Sequence, residues 1–125
     1  MGTDIKGFVE VKQWDVWRSF VIIEDMPGSR DYHAFAFLFG MRNIMSVLPV
    51  AANRGLPLDI SQKTQNSLSS EDLHSRSWVT WHEISESGWQ NQKFGAYWWF
   101  LMHIMETISE EYESNNVRLV VAFGG

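Results

Sequence analysis

The chain has 125 residues, which suits one domain over residues 1–125 with a hydrophobic core of its own. Its formal charge of −5 argues against binding along the phosphate backbone of DNA or RNA, because such binding requires a basic face. The absence of cysteine excludes a disulfide framework and a thiolate metal site. No apolar run reaches membrane-spanning length and no signal peptide is recognised, so we expect a cytoplasmic protein without a membrane partner.

Two strands are predicted at the start of the chain. In residues 4–12 apolar and polar side chains alternate, which is typical of a strand with one buried face. Residues 14–23 are rich in β-branched and aromatic side chains and predict a second strand. The short connection between the two indicates a hairpin. Pro27 and Gly28 then predict a turn over residues 24–30.

The middle of the chain predicts helices separated by irregular segments. Asp31 is a suitable N-cap for a helix over residues 32–39. Residues 41–57 follow as a long irregular segment, of the kind that often carries function. Ser61 predicts the start of a short polar helix that ends near Leu68.

The segment before the long C-terminal helix is predicted to contain little strand. Residues 69–76 are predicted as a loop and residues 78–79 as a short extended piece. Thr80 and Glu83 then have the spacing of a capping box, so a helix of about two turns is expected to follow them.

The last two elements organise the predicted fold. In residues 94–112 apolar side chains recur every three or four positions, which predicts a long helix, and its first half is apolar almost all round. That half is expected to be covered by its own domain, by a second subunit in a homodimer or by a ligand. Residues 117–123 are apolar except for Arg118 and predict a central strand. Together these elements predict an α+β fold, in which an antiparallel sheet of about three strands (the N-terminal hairpin and the central C-terminal strand) packs against several helices on one face.

Several segments in combination resemble a family of small phage and bacterial proteins. Members of that family begin M-G-[CT]-D-I-H, and this chain begins M-G-T-D-I-K. The similar later segments are R-G-L-P at residues 54–57, H-S-x-S-W at residues 74–78 and a closing V-R-L-V strand. Lys6 stands where the family has histidine, which argues against a metal ligand or a base at that position. The resemblance implies a phage-linked protein, acting in the host cytoplasm.

Arginine and aromatic side chains on irregular segments predict a ligand site. Arginines flanked by glycine and asparagine are suited to bidentate capture of phosphate or carboxylate. Tyrosine and tryptophan rings can stack on a base, and carboxylate or amide groups can bond ribose hydroxyls. The candidate ligand-binding residues are Asp4, Lys6, Glu10, Arg30, Tyr32, Arg42, Asn43, Arg54, His74, Trp78 and Trp81.

Each of these groups also has a purely structural interpretation. The charged residues of the first strand could form a solvated face with cross-strand ion pairs. The loop arginines could bond carbonyl groups at helix ends, and the tryptophans could fill the core.

Three functions are compatible with this sequence. The first is a non-catalytic phage-type protein that binds and sequesters a small anionic ligand, for which a nucleotide-derived immune signal fits best. The second is an interaction protein that inhibits a host defence protein by surface contact. The third is a small hydrolase of a nucleotide ligand that uses His74 as general acid or base. The sequence has no metal-ligand spacing, no phosphate-binding glycine loop and no nucleophile elbow, so no metal, cofactor or catalytic residue is expected.

Overall fold

The computed structural model describes residues 2–24 and 26–125; Met1 of the opening motif and Asp25 of the predicted turn lie outside the described residues. In the described part of the chain, four strands form one antiparallel sheet with the order β2-β1-β4-β3. The strands are β1 (Asp4–Gln13), β2 (Val16–Ile23), β3 (Leu73–Thr80) and β4 (Val117–Gly124). The α-helices are α1 (Tyr32–Phe39), α2 (Gln62–Leu68), α3 (Trp81–Ser85) and α4 (Ala96–Tyr112), with 3₁₀ turns at Trp89–Asn91 and Ser114–Asn116.

The predicted α+β fold is confirmed, including the central position of the last strand. β4 lies between β1 and β3, and every residue from Val117 to Phe123 is buried. A strand that pairs on both sides and is covered on both faces needs apolar side chains in both directions, which is what this segment supplies.

The fourth strand, β3, is the main difference from the prediction. The sequence predicts a loop for its first half, because His74, Ser75 and Arg76 are polar. β3 is an edge strand, paired with β4 alone, and several of its side chains are only partly buried. An edge strand can therefore form from residues that show no apolar alternation, because a central neighbour supplies the hydrogen bonds.

Both faces of the sheet are covered. On one face the core contains Phe35 of α1, Ile84 of α3 and Trp98 of α4. On the other face Leu68 of α2 packs against Phe8 in a smaller cluster. The sequence prediction placed the helices on one face, and α2 is the exception. Its sequence has too few apolar residues to show which surface it would cover.

Local capping signals explain where α1 begins and ends. The side chain of Asp31 accepts hydrogen bonds from the backbone N–H groups of His33 and Ala34, so the predicted N-cap of α1 is confirmed. Gly40 ends α1 with a φ of 74°, a left-handed conformation that glycine adopts without strain. No helix of the described residues has both the length and the apolar character needed to cross a membrane.

Candidate functional site

Several predicted site residues meet where β1 begins and β4 ends. Asp4 pairs with Gly124 and Lys6 with Ala122 across the two central strands. Arg30, just before α1, reaches this edge of the sheet and donates from Nε and Nη2 to Oδ1 of Asp4, at 2.9 and 2.6 Å. Both partners remain about half exposed. We call this region the sheet-end cluster, defined by Asp4, Arg30, Tyr32 and Arg42. Lys6 lies two residues further along β1 and lines a separate groove.

Thr3 connects the remaining members of the sheet-end cluster. Its backbone N–H donates to the Tyr32 hydroxyl at 3.1 Å, and its own hydroxyl accepts from Nε of Arg42 at 2.9 Å. The Arg42 guanidinium lies 4.8 Å from the centre of the Tyr32 ring, within the range of a cation–π contact. Thr3 is 6% exposed, so these contacts hold Arg42 and Tyr32 against a fixed part of the sheet.

A cavity of about 220 Å³ opens beside Tyr32 and Arg42, between α1 and the segment that follows it. Its wall is mostly apolar and includes Phe37, Ile44 and Met45. A mostly apolar cavity with a few polar groups is the usual form of a small-ligand site. The arrangement can therefore receive a flat, apolar ring and present a guanidinium to a negative group on it.

Asn43 shapes this cavity from the outside. Its side chain closes the loop by donating from Nδ2 to the carbonyl of Val47 at 2.6 Å and accepting from the Val47 N–H at 2.9 Å. The neighbouring residues Arg42 and Ser46 have positive φ values of 55° and 53°. Asn43 is therefore placed to hold the loop in shape, rather than to bond a ribose hydroxyl as the sequence suggested.

A second groove, of about 310 Å³, is lined by Asp4, Lys6, Glu24 and Gly124. His74 of β3 is near the same end of the sheet. Its Nδ1 lies 2.9 Å from the Ser75 hydroxyl, and its Nε2 lies 3.3 Å from the Gly125 carbonyl oxygen.

Glu10 does not belong to the sheet-end cluster. It is fully buried, and its Oε1 accepts from Nε of Arg118 at 2.8 Å while its Oε2 accepts from the backbone N–H of Ser61 at 3.0 Å. The structural interpretation, a cross-strand ion pair, is therefore the correct one for Glu10. Alternation along β1 could not separate a solvated face from one covered by α2.

Arg118 is a buried polar residue that was not among the predicted site residues. It is 3% exposed, and its guanidinium lies 3.7 Å from the centre of the Trp17 ring. It also donates from Nη1 to Asp59 at 2.9 Å. Partial burial of Asp59 raises its pKa, but the hydrogen bond and positive charge of Arg118 and the Trp17 hydrogen bond outweigh burial, so that the pKa lies below its ordinary value. In the sequence, the sign of these contacts is that Arg118 is the single charged residue of the apolar strand β4.

Arg54 and Trp78 form a separate group. Arg54 donates through both terminal nitrogens to the two carboxylate oxygens of Glu83, and its guanidinium lies 5.1 Å from the Trp78 ring centre. Trp81 is 3% exposed and contacts the Trp89 ring within the core. Its burial corrects the prediction that Trp81 stacks on a ligand base.

The Arg54–Glu83 pair predicts a pH dependence of stability. The hydrogen bond from Arg54 holds the pKa of Glu83 below its ordinary value. The pair therefore stabilises the fold fully above the unfolded-state glutamate pKa of about 4.3, and this stabilisation is lost as the pH falls through the lower folded-state pKa. We expect the difference in unfolding free energy between wild type and Glu83→Gln, measured by urea denaturation, to shrink between about pH 7 and about pH 3.

The exposed Glu71 supplies the control for that experiment. The corresponding difference for Glu71→Gln should stay near zero throughout the titration. A Glu83→Gln difference that did not change with pH would contradict the assignment of the lowered pKa to this ion pair.

Comparison with known proteins finds no matching protein family, no matching curated protein and no matching solved structure. The resemblance seen in the sequence segments therefore stays a prediction.

Proposed function

We propose that the protein is a non-catalytic binding protein that holds and sequesters a small anionic ligand at the sheet-end cluster. The observation that carries this proposal is the position of Arg42, which Thr3 holds at one end of the sheet beside Tyr32 and a mostly apolar cavity. Arg30 lies at the same end of the sheet, where Asp4 pairs with it. On a chain with a net charge of −5, the positive charge of Arg42 at this cavity favours a small anion there over general polyanion binding.

The aromatic part of the cluster favours a ligand that also has a flat ring. Tyr32 and Phe37 line the same cavity as the apolar side chains of Ile44 and Met45. A base or a similar ring would lie against these side chains, while Arg42 would bond a phosphate or carboxylate group. A nucleotide-derived molecule has both parts, and the phage-linked context that the sequence resemblance implies favours an immune signal of the host.

The contacts of His74 support binding over hydrolysis. Its two ring nitrogens lie within hydrogen-bonding distance of Ser75 and Gly125, which are partners within the protein. A general acid or base must reach the reacting proton of a bound ligand. The hydrolase alternative therefore requires His74 to exchange at least one of these partners on ligand binding.

Arg42→Ala should weaken ligand binding by at least about tenfold, because charge-assisted hydrogen bonds contribute about 1.5–3 kcal/mol and 1.4 kcal/mol corresponds to a factor of ten. The ligand class is first found by comparing native and denatured mass spectra of the purified chain and by calorimetric titration with a panel of linear and cyclic nucleotides. The variant is then titrated with the nucleotide that binds. A binding protein should also release this nucleotide with its mass unchanged.

Arg18→Ala is the matched control, since Arg18 is an exposed arginine of β2 outside the sheet-end cluster. It removes the same charge and should leave the affinity within about twofold. Equal losses from the two variants would show that net charge alone, and not the cluster, attracts the nucleotide. Release of a cleaved nucleotide, with cleavage abolished by His74→Ala, would replace this proposal by the hydrolase.

A second candidate function, an inhibitor that binds a host defence protein, is favoured by the loop after α1. Ile44, Met45 and Leu48 are 87, 83 and 92% exposed, and apolar side chains grouped in this way are typical of protein-binding surfaces. An inhibitor should lose its partner when Leu48 is changed to serine and should be indifferent to Arg42→Ala. The ligand-binding protein should show the opposite pattern, because Leu48 does not line the cavity.

A further inference from the structure

One side of the molecule exposes an apolar surface that the ligand-binding proposal does not use. It lies where the edge strand β2 runs beside α4, and we call it the β2–α4 surface. Phe20 and Ile22 of β2 are 59 and 49% exposed, and Phe100 and Ile104 of α4 are 67 and 42% exposed. Met26, which follows β2, is 56% exposed. Isolated apolar side chains are common at protein surfaces, whereas a contiguous group is typical of an interface.

The β2–α4 surface has both projections and depressions. Two adjoining grooves, of about 410 and 390 Å³, follow the line between β2 and α4. Phe100 and Ile104 line both grooves, and Phe20 lines the second. An exposed phenyl ring therefore stands beside a depression with an apolar wall, which is the shape required for two such surfaces to fit into one another.

The charges of α4 are unequally distributed along its axis. Its first turn contains no acidic residue, and its last turn contains no basic residue. The last turn instead contains Glu110 and Glu111, which are unfavourable near the negative end of the helix dipole. Glu111 follows Ile104 by seven residues and therefore lies on the same face of α4 as Ile104 and Phe100. Another helix that ran in the opposite direction beside α4 would bring the positive end of its own dipole to these glutamates.

We propose that the β2–α4 surface is a homodimer interface, in which the α4 helices of two copies pack antiparallel about a two-fold axis near Ile104. α4 has 17 residues and is thus about 25 Å long, and Ile104 is its central residue. Each Ile104 then lies against its counterpart, and each Phe100 enters the groove of the other copy. Glu111 of each copy then lies beside the first turn of the other helix.

A second copy fits the observations better than an unrelated partner does. A two-fold interface uses the same surface twice, so projections and depressions must occur together on one chain, as they do here. The antiparallel direction also supplies the charge complementarity from α4 itself, because the positive dipole end of each helix lies beside Glu111 of the other. A foreign basic helix would pair with Glu111 but would leave the positive dipole end of α4 without an acidic partner.

The first experiment is sedimentation equilibrium of the full chain over a range of concentrations. The wild type should have twice the chain mass of 14.5 kDa. Phe100→Glu should raise the dimer dissociation constant at least about 100-fold, because each interface would then bury two unpaired carboxylates. Leu58→Glu places the same charge at a fully exposed site outside the β2–α4 surface and should remain dimeric. Circular dichroism of each variant verifies that the fold is retained.

Disulfide crosslinking tests the direction of the helices, and the absence of native cysteine makes single-cysteine variants unambiguous. Ile104→Cys lies near the proposed axis and should form a disulfide-linked dimer on mild oxidation. Glu111→Cys lies about 10 Å along the helix from the axis, so its two copies are too far apart to bond and should stay reduced. Crosslinking of Glu111→Cys, which a parallel pair would give, would overturn the proposal. So would a wild-type chain that sediments at 14.5 kDa at every concentration, or a Phe100→Glu variant that remains dimeric.

Discussion

Arg118→Met is expected to lower the free energy of unfolding by about 3–5 kcal/mol, as removal of one member of a buried ion pair commonly does. The substitution leaves Glu10, which is fully buried, with a charge and without its arginine. The loss of Arg118 costs less free energy at Asp59, because the Asp59 side chain is 65% exposed and water can replace the lost partner. The loss is measured by urea denaturation at neutral pH.

The double variant Glu10→Leu with Arg118→Met separates the two causes of this loss. It removes the unpaired carboxylate and fills the space between β1 and α2 with apolar groups, so it should be more stable than Arg118→Met alone. Recovery is expected to be incomplete because the backbone N–H of Ser61 loses its acceptor. An Arg118→Met variant that lost less than about 1 kcal/mol would contradict the view that this pair holds α2 to the sheet.

The main elements of the fold could be predicted because their signals are local. The apolar run of β4 and the capping residues Asp31 and Thr80 each depend on residues close together in sequence, and each is confirmed. Alternation correctly predicted that β1 is a strand, but the prediction that only one of its faces is buried is wrong, because residues 7–11 are all buried. β3 could not be predicted in full, because its pairing with β4 joins residues far apart in the chain. Its own sequence carries little of that information.

The residues of the candidate site could likewise be predicted only in part. Residue type alone indicated that Arg30, Tyr32 and Arg42 suit an anionic ring, and the structure places them at one end of the sheet. Sequence could not show that Arg54 is paired with Glu83, since that contact links a loop to α3. Nor could it show that Glu10 is covered by the segment before α2. Whether a charged side chain meets solvent or a buried partner is decided by tertiary packing, which no local pattern records.

Phe35→Ala is expected to destabilise the protein by about 3–5 kcal/mol, the cost of removing a buried aromatic ring and leaving a cavity. Phe35 is fully buried, and its ring lies 5.1 Å from that of Phe123 and 6.1 Å from that of Trp98. It therefore joins α1 to both β4 and α4. Because α1 begins with Tyr32, whose ring lies 5.8 Å from Phe35, the loss should also loosen the sheet-end cluster.

Phe37→Ala is the matched control on the same helix. Phe37 is only partly buried and faces the cavity beside Arg42, so its truncation should cost less than half as much. If Phe35→Ala does not fold, Phe35→Leu retains most of the apolar volume and gives a measurable urea transition. Two results would show that Phe35 does not hold α1 in place. One is a Phe35→Leu variant as stable as wild type, and the other is an equal loss of unfolding free energy in Phe35→Ala and Phe37→Ala. When Phe35 holds α1 in place, the Tyr32 hydroxyl keeps its hydrogen bond with Thr3, which in turn bonds Arg42. The packing of Phe35 in the core therefore stabilises the geometry of the proposed ligand site.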